Sequence, residues 1–189
     1  MKLCLIILAA LSSFLTGLET KTLQSDFTLS MAADATQPLN YTGSVTMSGE
    51  RFKLTILDIQ AAYDGKTLYI YQEDNDELTL SYPTEQELLE TNPFLYARAL
   101  SKVCNITERE ANGSTVITLT PKDQSIGIQR FTLTMGANNL PARLEVKEGK
   151  KTTSLVLRNA KYLEGDALKN VKYQLQAADY PTAFVNDLR

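Results

Sequence analysis

Apolar and polar residues alternate along most of the chain after residue 25. Phe27, Leu29 and Met31 alternate with polar neighbours in DFTLSM, Val45 and Met47 in SVTM, and Phe52, Leu54 and Ile56 in RFKLTI. The pattern returns at Leu78, Leu80 and Tyr82, at Ile117 and Leu119, and at Phe131, Leu133 and Met135. It recurs at Leu144 and Val146, at Leu155 and Leu157, and at Val171, Tyr173 and Leu175. A period of two places alternate side chains on opposite faces, so each run predicts a strand with one apolar and one wet face. Such strands suit an antiparallel sheet, because parallel sheets bury both faces. Turn-forming residues fall between the runs: SGE at 48–50, DGK at 64–66, EDND at 73–76, ANG at 111–113, GANN at 136–139 and EGKK at 148–151. The sum is about eleven strands in short-range meander order. Asp64-Gly65 reads as a turn needing positive φ, and the EDND run as a solvated hairpin tip.

One stretch breaks the alternation. In PTEQELLETNPFLYARALSKV (83–103), Thr84 followed by Glu87 is a capping-box pattern that predicts a helix start. Asn92-Pro93 stops that helix, since a residue before proline avoids the helical region. A second helical run follows, with Phe94, Leu95, Ala97 and Leu100 apolar. Glu85, Glu87 and Glu90 read as a wet helix face, with little support for paired-carboxylate glycosidase chemistry. Strands with one apolar face must curl, pair with a second sheet or be covered. Periodicity alone leaves open a filled sandwich and a curled sheet with a helix over its concave face.

Residues 2–18, KLCLIILAALSSFLTGL, are different again. One lysine precedes an apolar run from Leu3 to Leu11, and small and polar residues follow, as in a secretory signal peptide. A membrane-spanning helix needs about 20 apolar residues, and Ser12, Ser13 and Thr16 interrupt this run. Residues 1–18 are therefore expected to be a signal peptide, or an N-terminal helix in the full-length chain, with 19–189 forming one domain. If 1–18 are removed, Cys104 is the one remaining thiol and is expected to be buried and inert. The sequons at Asn40, Asn105 and Asn112 read as chance.

Composition then narrows the chemistry. The 189 residues are 43% hydrophobic, with 19 basic against 22 acidic residues and a net charge of −3. That balance argues against a nucleic-acid binder, which would show a basic stripe. Histidine is absent, which excludes Ser-His-Asp and Cys-His catalysis and histidine-ligated zinc. No cofactor, metal site or catalytic group is expected, and the chain is not expected to be an enzyme.

Three ordered segments resemble the periplasmic outer-membrane lipoprotein carrier family, LolA. The first is GSVTMSGERFKLTI (43–56) with the hairpin YDGKTLYIYQEDNDELTL (63–80); the second is PTEQELLETNPFLYARAL (83–100); the third is VITLTPKDQSIGIQRFTLTMGANNLPARLEV (116–146). The resemblance runs through roughly residues 23–180. It departs from the family where an Arg-Pro pair, whose arginine latches the lid, is replaced by SGERFKL; Arg51 has no following proline and does not inherit that role. The family's tryptophans are missing. Almost nothing lies between the apolar run and the first strand, so the family's N-terminal helix is either truncated or replaced by residues 3–18.

The resemblance implies a mainly β fold, α+β by its helix lid: a curled antiparallel sheet forming an open half-barrel, with short helices over a concave apolar face. If residues 3–18 take the place of the missing helix, they should lie in the hollow. It implies a periplasmic carrier or chaperone that holds the acyl chains of lipoproteins and moves them toward the outer membrane. The alternative is an envelope lipid binder, or a lipid or lipoprotein sensor, on the same fold. The implied lipid-binding residues are Phe27, Leu29, Val45, Met47, Phe52, Leu54, Ile56, Phe94 and Leu95. The implied partners are acylated lipoproteins or lipid, an inner-membrane release complex and an outer-membrane acceptor, met by a monomer exported through its signal peptide. On composition alone these apolar faces would be plain core.

Overall fold

The computed structural model describes residues 9–33, 37–136 and 138–189. Two meanders make up one sheet. The first runs through β1 (Leu23–Ala33), β2 (Leu39–Ser48), β3 (Arg51–Ile56), β4 (Ile59–Tyr63), β5 (Leu68–Gln72) and β6 (Glu77–Ser81). The second runs through β7 (Cys104–Ala111), β8 (Ser114–Pro121), β9 (Arg130–Met135), β10 (Pro141–Glu148) and β11 (Lys151–Tyr162). They join where β11 pairs antiparallel with β1. A short last strand, β12 (Phe184–Asp187), adds parallel to β6. The spatial order is β12-β6-β5-β4-β3-β2-β1-β11-β10-β9-β8-β7. The sheet is open and curled, as the family resemblance implied.

The alternation seen in the sequence becomes a continuous apolar stripe across the strands. Ile117, Leu133, Leu144, Leu155 and Leu29 are successive cross-strand neighbours from β8 to β1. Met47, Phe52, Tyr63 and Leu68 form a matching stripe from β2 to β5. Curvature has local causes. The β1–β11 register shifts between Gln24 and Asp26, and the β9–β10 register shifts between Pro141 and Arg143. An extra residue in one strand bends and twists the pair. At the first bulge Asn159 takes φ 54°, and its side-chain amide donates to the Asp26 carboxylate at 2.9 Å.

The link between the two meanders forms a lid. β6 lies near one edge of the sheet and β7 forms the other, and the link between them crosses the concave face, where Phe94, Ala97 and Leu100 join the main core. That link is two helices, α2 (Glu85–Thr91) and α3 (Pro93–Val103), in the stretch where the alternation fails. The predicted capping box is present: the Glu87 N–H donates to Thr84 Oγ1, and the Thr84 N–H donates to Glu87 Oε2 at 2.7 Å. Another helix, α1 (Ala9–Thr20), precedes β1, and Leu11, Phe14 and Leu18 on it are buried in the main core. This part of the N-terminal segment is therefore a helix packed on the concave core beside the lid; Leu3 to Leu8, the start of the apolar run, lies outside the described residues.

The C-terminal segment departs from the sequence reading. Val171, Tyr173 and Leu175 alternate, but residues 171–176 form no strand. Tyr173 and Leu175 are nevertheless buried. Leu175 joins Ala62, Tyr69 and Leu78 in a small second core, and Tyr180 stacks on Tyr71 at 4.1 Å between ring centroids. Along β4 and β5 these residues alternate with Ala61, Tyr63 and Leu68 of the main core, so the tail covers the opposite, convex face. Arg51 stacks on Tyr173 at 4.9 Å and so serves this strap.

Asp64 fastens the strap to the β4–β5 turn. Its carboxylate accepts from the N–H groups of Lys66 and Thr67, from the Tyr69 hydroxyl and, at 2.8 Å, from the Gln174 amide. Burial alone would push this carboxyl up, but those four donors outweigh it and hold it below its ordinary value. An aspartate held low stabilises the fold above its unfolded pKa and loses that contribution as pH falls through its folded value. Asp64→Asn is therefore expected to unfold at lower urea than the parent at pH 7, with the gap closing below about pH 4. A gap that stays constant with pH would show that the carboxylate charge plays no part.

Candidate functional site

Between the lid and the sheet lies a hollow of about 590 Å³. Its near wall is built by β1, β2 and β3. Phe27, Leu29, Val45, Met47, Phe52, Leu54 and Ile56 all line it, and Phe94 lines it from the lid. Leu95, the remaining residue expected on the site, is half-buried on α3 and does not line it. The far wall was not singled out in the sequence: Phe131 of β9, Leu144 and Val146 of β10, and Leu155 of β11. These four alternate with polar neighbours like the first set. Alternation identifies the face a residue is on, but not which part of that face stays uncovered.

The walls differ in depth. Phe27, Val45, Met47, Phe52, Phe94, Phe131 and Leu144 are buried. Leu29, Leu54, Ile56, Val146 and Leu155 are half-buried although they sit on the apolar face. A filled core would cover such residues; here their apolar surface faces the hollow. Polar residues stand on the lid and at the strand ends: Gln86 and Glu90 on α2, Glu148 at the end of β10 and Thr153 on β11. Gln86 donates to Glu90 at 2.8 Å. Burial raises the Tyr96 hydroxyl above its ordinary pKa, and the Glu148 carboxylate adds to this.

The lid is anchored from behind. The Phe14 and Phe94 rings meet edge-to-face at 5.2 Å between centroids. Arg98 of α3 pairs with Glu19 of α1 at 3.0 Å, though both side chains are partly exposed and such pairs contribute little. None of the described residues of α1 lines the hollow. Cys104, at the end of α3, is 4% exposed, and burial raises its thiol pKa. It lies where an inert core thiol was expected.

At the floor, β2 has a glycine for a steric reason. Gly43 sits opposite Phe27 on β1 and Ile56 on β3. A Cβ at this position would overlap both the Thr55 carbonyl oxygen and the Phe27 ring. The missing side chain lets Phe27 lie flat on the sheet.

The family assignment rests on the lid and the wall it covers. The family model for the outer membrane lipoprotein carrier protein LolA matches residues 58–167, more than half of the chain. The chain belongs to the LolA family. The match takes in the lid and the far wall, while the near wall on β1–β3 precedes it. No curated protein sequence matches this LolA-family chain. Among solved structures, an uncharacterized conserved protein from Thermus thermophilus superposes with a TM-score of 0.56 at 11% identity, over 94% of this chain and 96% of that one. That likeness extends the shared fold to almost the whole chain. A LolA superfamily protein from Nitrosomonas europaea aligns with a TM-score of 0.40 at 11% identity, over 85% and 97% of the two chains. Lipoprotein LppX from Mycobacterium tuberculosis aligns with a TM-score of 0.46 at 14% identity, over 88% and 97%.

Gly43→Ala is expected to lower stability by about 1–3 kcal/mol, the usual cost of forcing extra volume into a packed site. Urea unfolding monitored by tyrosine fluorescence or circular dichroism reads this directly. An unchanged midpoint would show that Phe27 has room to move.

Proposed function

We propose that the hollow holds acyl chains of lipoproteins or lipids, and that the protein carries them through the periplasm toward the outer membrane. The observation that carries this reading is the half-buried apolar wall of Leu29, Leu54, Ile56, Val146 and Leu155 beneath a lid. A volume of about 590 Å³ lies within the range of roughly 300–1,000 Å³ usual for small-molecule pockets. Each methylene withdrawn from water contributes about 0.8 kcal/mol, so a long acyl chain represents roughly 10–13 kcal/mol of hydration avoided. A carrier must offset most of that and still release its cargo. An adaptable surface of leucine, isoleucine, phenylalanine and methionine suits both demands. No covalent step is required.

Eight of the nine residues named from the sequence, all but Leu95, are the proposed lipid-contacting set, with the far wall added. In this reading residues 1–18 address the chain to the envelope as a signal peptide, or stay as the N-terminal helix that packs against the lid. Release needs docking partners, an inner-membrane complex that loads the hollow and an outer-membrane acceptor that empties it.

Leu54→Glu and Leu155→Glu place a charge on the open wall without touching the buried floor. Each is expected to weaken binding of a fluorescent fatty-acyl probe at least about tenfold, because a carboxylate placed against an acyl chain must be desolvated. Their thermal midpoints should stay near that of the parent, since the replaced side chains are only half-buried. Unchanged probe binding in both variants would refute the acyl-chain reading.

A further inference from the structure

Asn92 holds the hinge between the two lid helices, and almost all of its polar groups are engaged. Its N–H donates to the Leu88 carbonyl at 2.9 Å and ends α2. Its carbonyl accepts from the Tyr96 N–H at 3.0 Å. Its side-chain Oδ1 accepts from the N–H groups of Phe94 and Leu95, at 3.0 and 3.2 Å, and caps α3. Two backbone donors on one side-chain atom fix the orientation of the amide, because the flipped form would set Nδ2 against both N–H groups. Nδ2 is therefore the one group left over. It has no hydrogen-bond partner, although Asn92 is only 2% exposed and lines the hollow.

A buried amide donor without an acceptor is unfavourable, and native proteins rarely keep one without cause. The other buried side-chain atom without a partner among the described residues, the Tyr173 hydroxyl, belongs to the C-terminal strap and does not line the hollow. The hydrocarbon part of an acyl chain offers Nδ2 nothing. The carbonyl oxygen at the head of that chain does. A free carboxylate would also accept, but Glu90 and Glu148 line the same hollow and disfavour a further carboxylate there. A neutral ester or amide carbonyl meets both conditions.

We propose that Asn92 Nδ2 hydrogen-bonds the ester or amide carbonyl of the bound acyl group, so that the site selects acyl esters and amides over ether-linked chains and free fatty acids. This rests on the hollow being an acyl-chain site. It also sets a register: the carbonyl lies at the hinge of the lid, the chain runs along the apolar wall, and the headgroup emerges at the polar rim. The same residue would then sense cargo and join the two lid helices.

The test uses palmitoyl lysophosphatidylcholine and its hexadecyl ether analogue, which differ by one carbonyl. Affinities are measured on the full chain by displacement of a hydrophobic probe, below the micelle concentration. The parent is expected to prefer the ester by about tenfold, the worth of one satisfied buried donor. Asn92→Asp and Asn92→Ser both retain a helix-capping oxygen and are expected to bind the two ligands equally. The infrared ester-carbonyl band should shift to lower frequency on binding the parent but not the variants, a readout that a purely structural role would not move. Equal binding of ester and ether by the parent, or a preference retained in the variants, would overturn the role of Asn92 and leave the hollow reading standing. Binding of neither ligand would overturn the hollow reading and this inference with it. If both variants fail to fold, the parent's own preference and band shift still decide.

Discussion

The pairing of β1 with β11 determines what the rest of the molecule can do. Two meanders that each pair only with sequence neighbours would make two small sheets. Their joining from Leu23 opposite Tyr162 to Ala33 opposite Lys151 makes one wide sheet and sends β6 and β7 to opposite sides of it. The chain between them reconnects across the concave face as the lid, while the C-terminal tail takes the convex face. The helix before β1 enters at the middle of the sheet for the same reason and fills part of the concavity with Leu11, Phe14 and Leu18.

The remaining volume stays open because little apolar surface is available to fill it. α2 has no buried residue, and α3 buries Phe94, Ala97 and Leu100. Two short helices of this kind cover a wide stripe only in part, and leucines and isoleucines on β1, β3 and β11 stay half-buried beneath them. An open apolar wall is unfavourable in an empty protein and favourable once an acyl chain lies on it. Under the proposed function, partial coverage of this kind would allow both uptake and release, whereas a tight, fully enclosed pocket would hold an acyl chain too strongly.

Much of this was legible in the sequence. The alternation read in RFKLTI and at Phe131, Leu133 and Met135 falls within the strands Arg51–Ile56 and Arg130–Met135. The capping box at Thr84 and Glu87 and the break at Asn92-Pro93 marked the lid, because capping and proline geometry are local. The parts that were missed depend on distant partners. Val171, Tyr173 and Leu175 alternate because one side packs on the convex face, yet they have no ladder to join. FVND at 184–187 has no apolar period, and only its parallel alignment with β6 makes it a strand. The near wall of the hollow was identified through family resemblance, and Phe131, Leu144, Val146 and Leu155 needed the assembled sheet. Asn92 read as a helix stop; that its amide nitrogen faces no partner is visible only once its burial is known.

The central claim is that the concave face is a cargo surface and not core. Native mass spectrometry of the protein purified from its own cell envelope, without detergent, tests it most directly. The account predicts a bound acylated lipoprotein or lipid released at modest collision energy. A protein that carries no acylated ligand, and gains none when lipid is added, would contradict it.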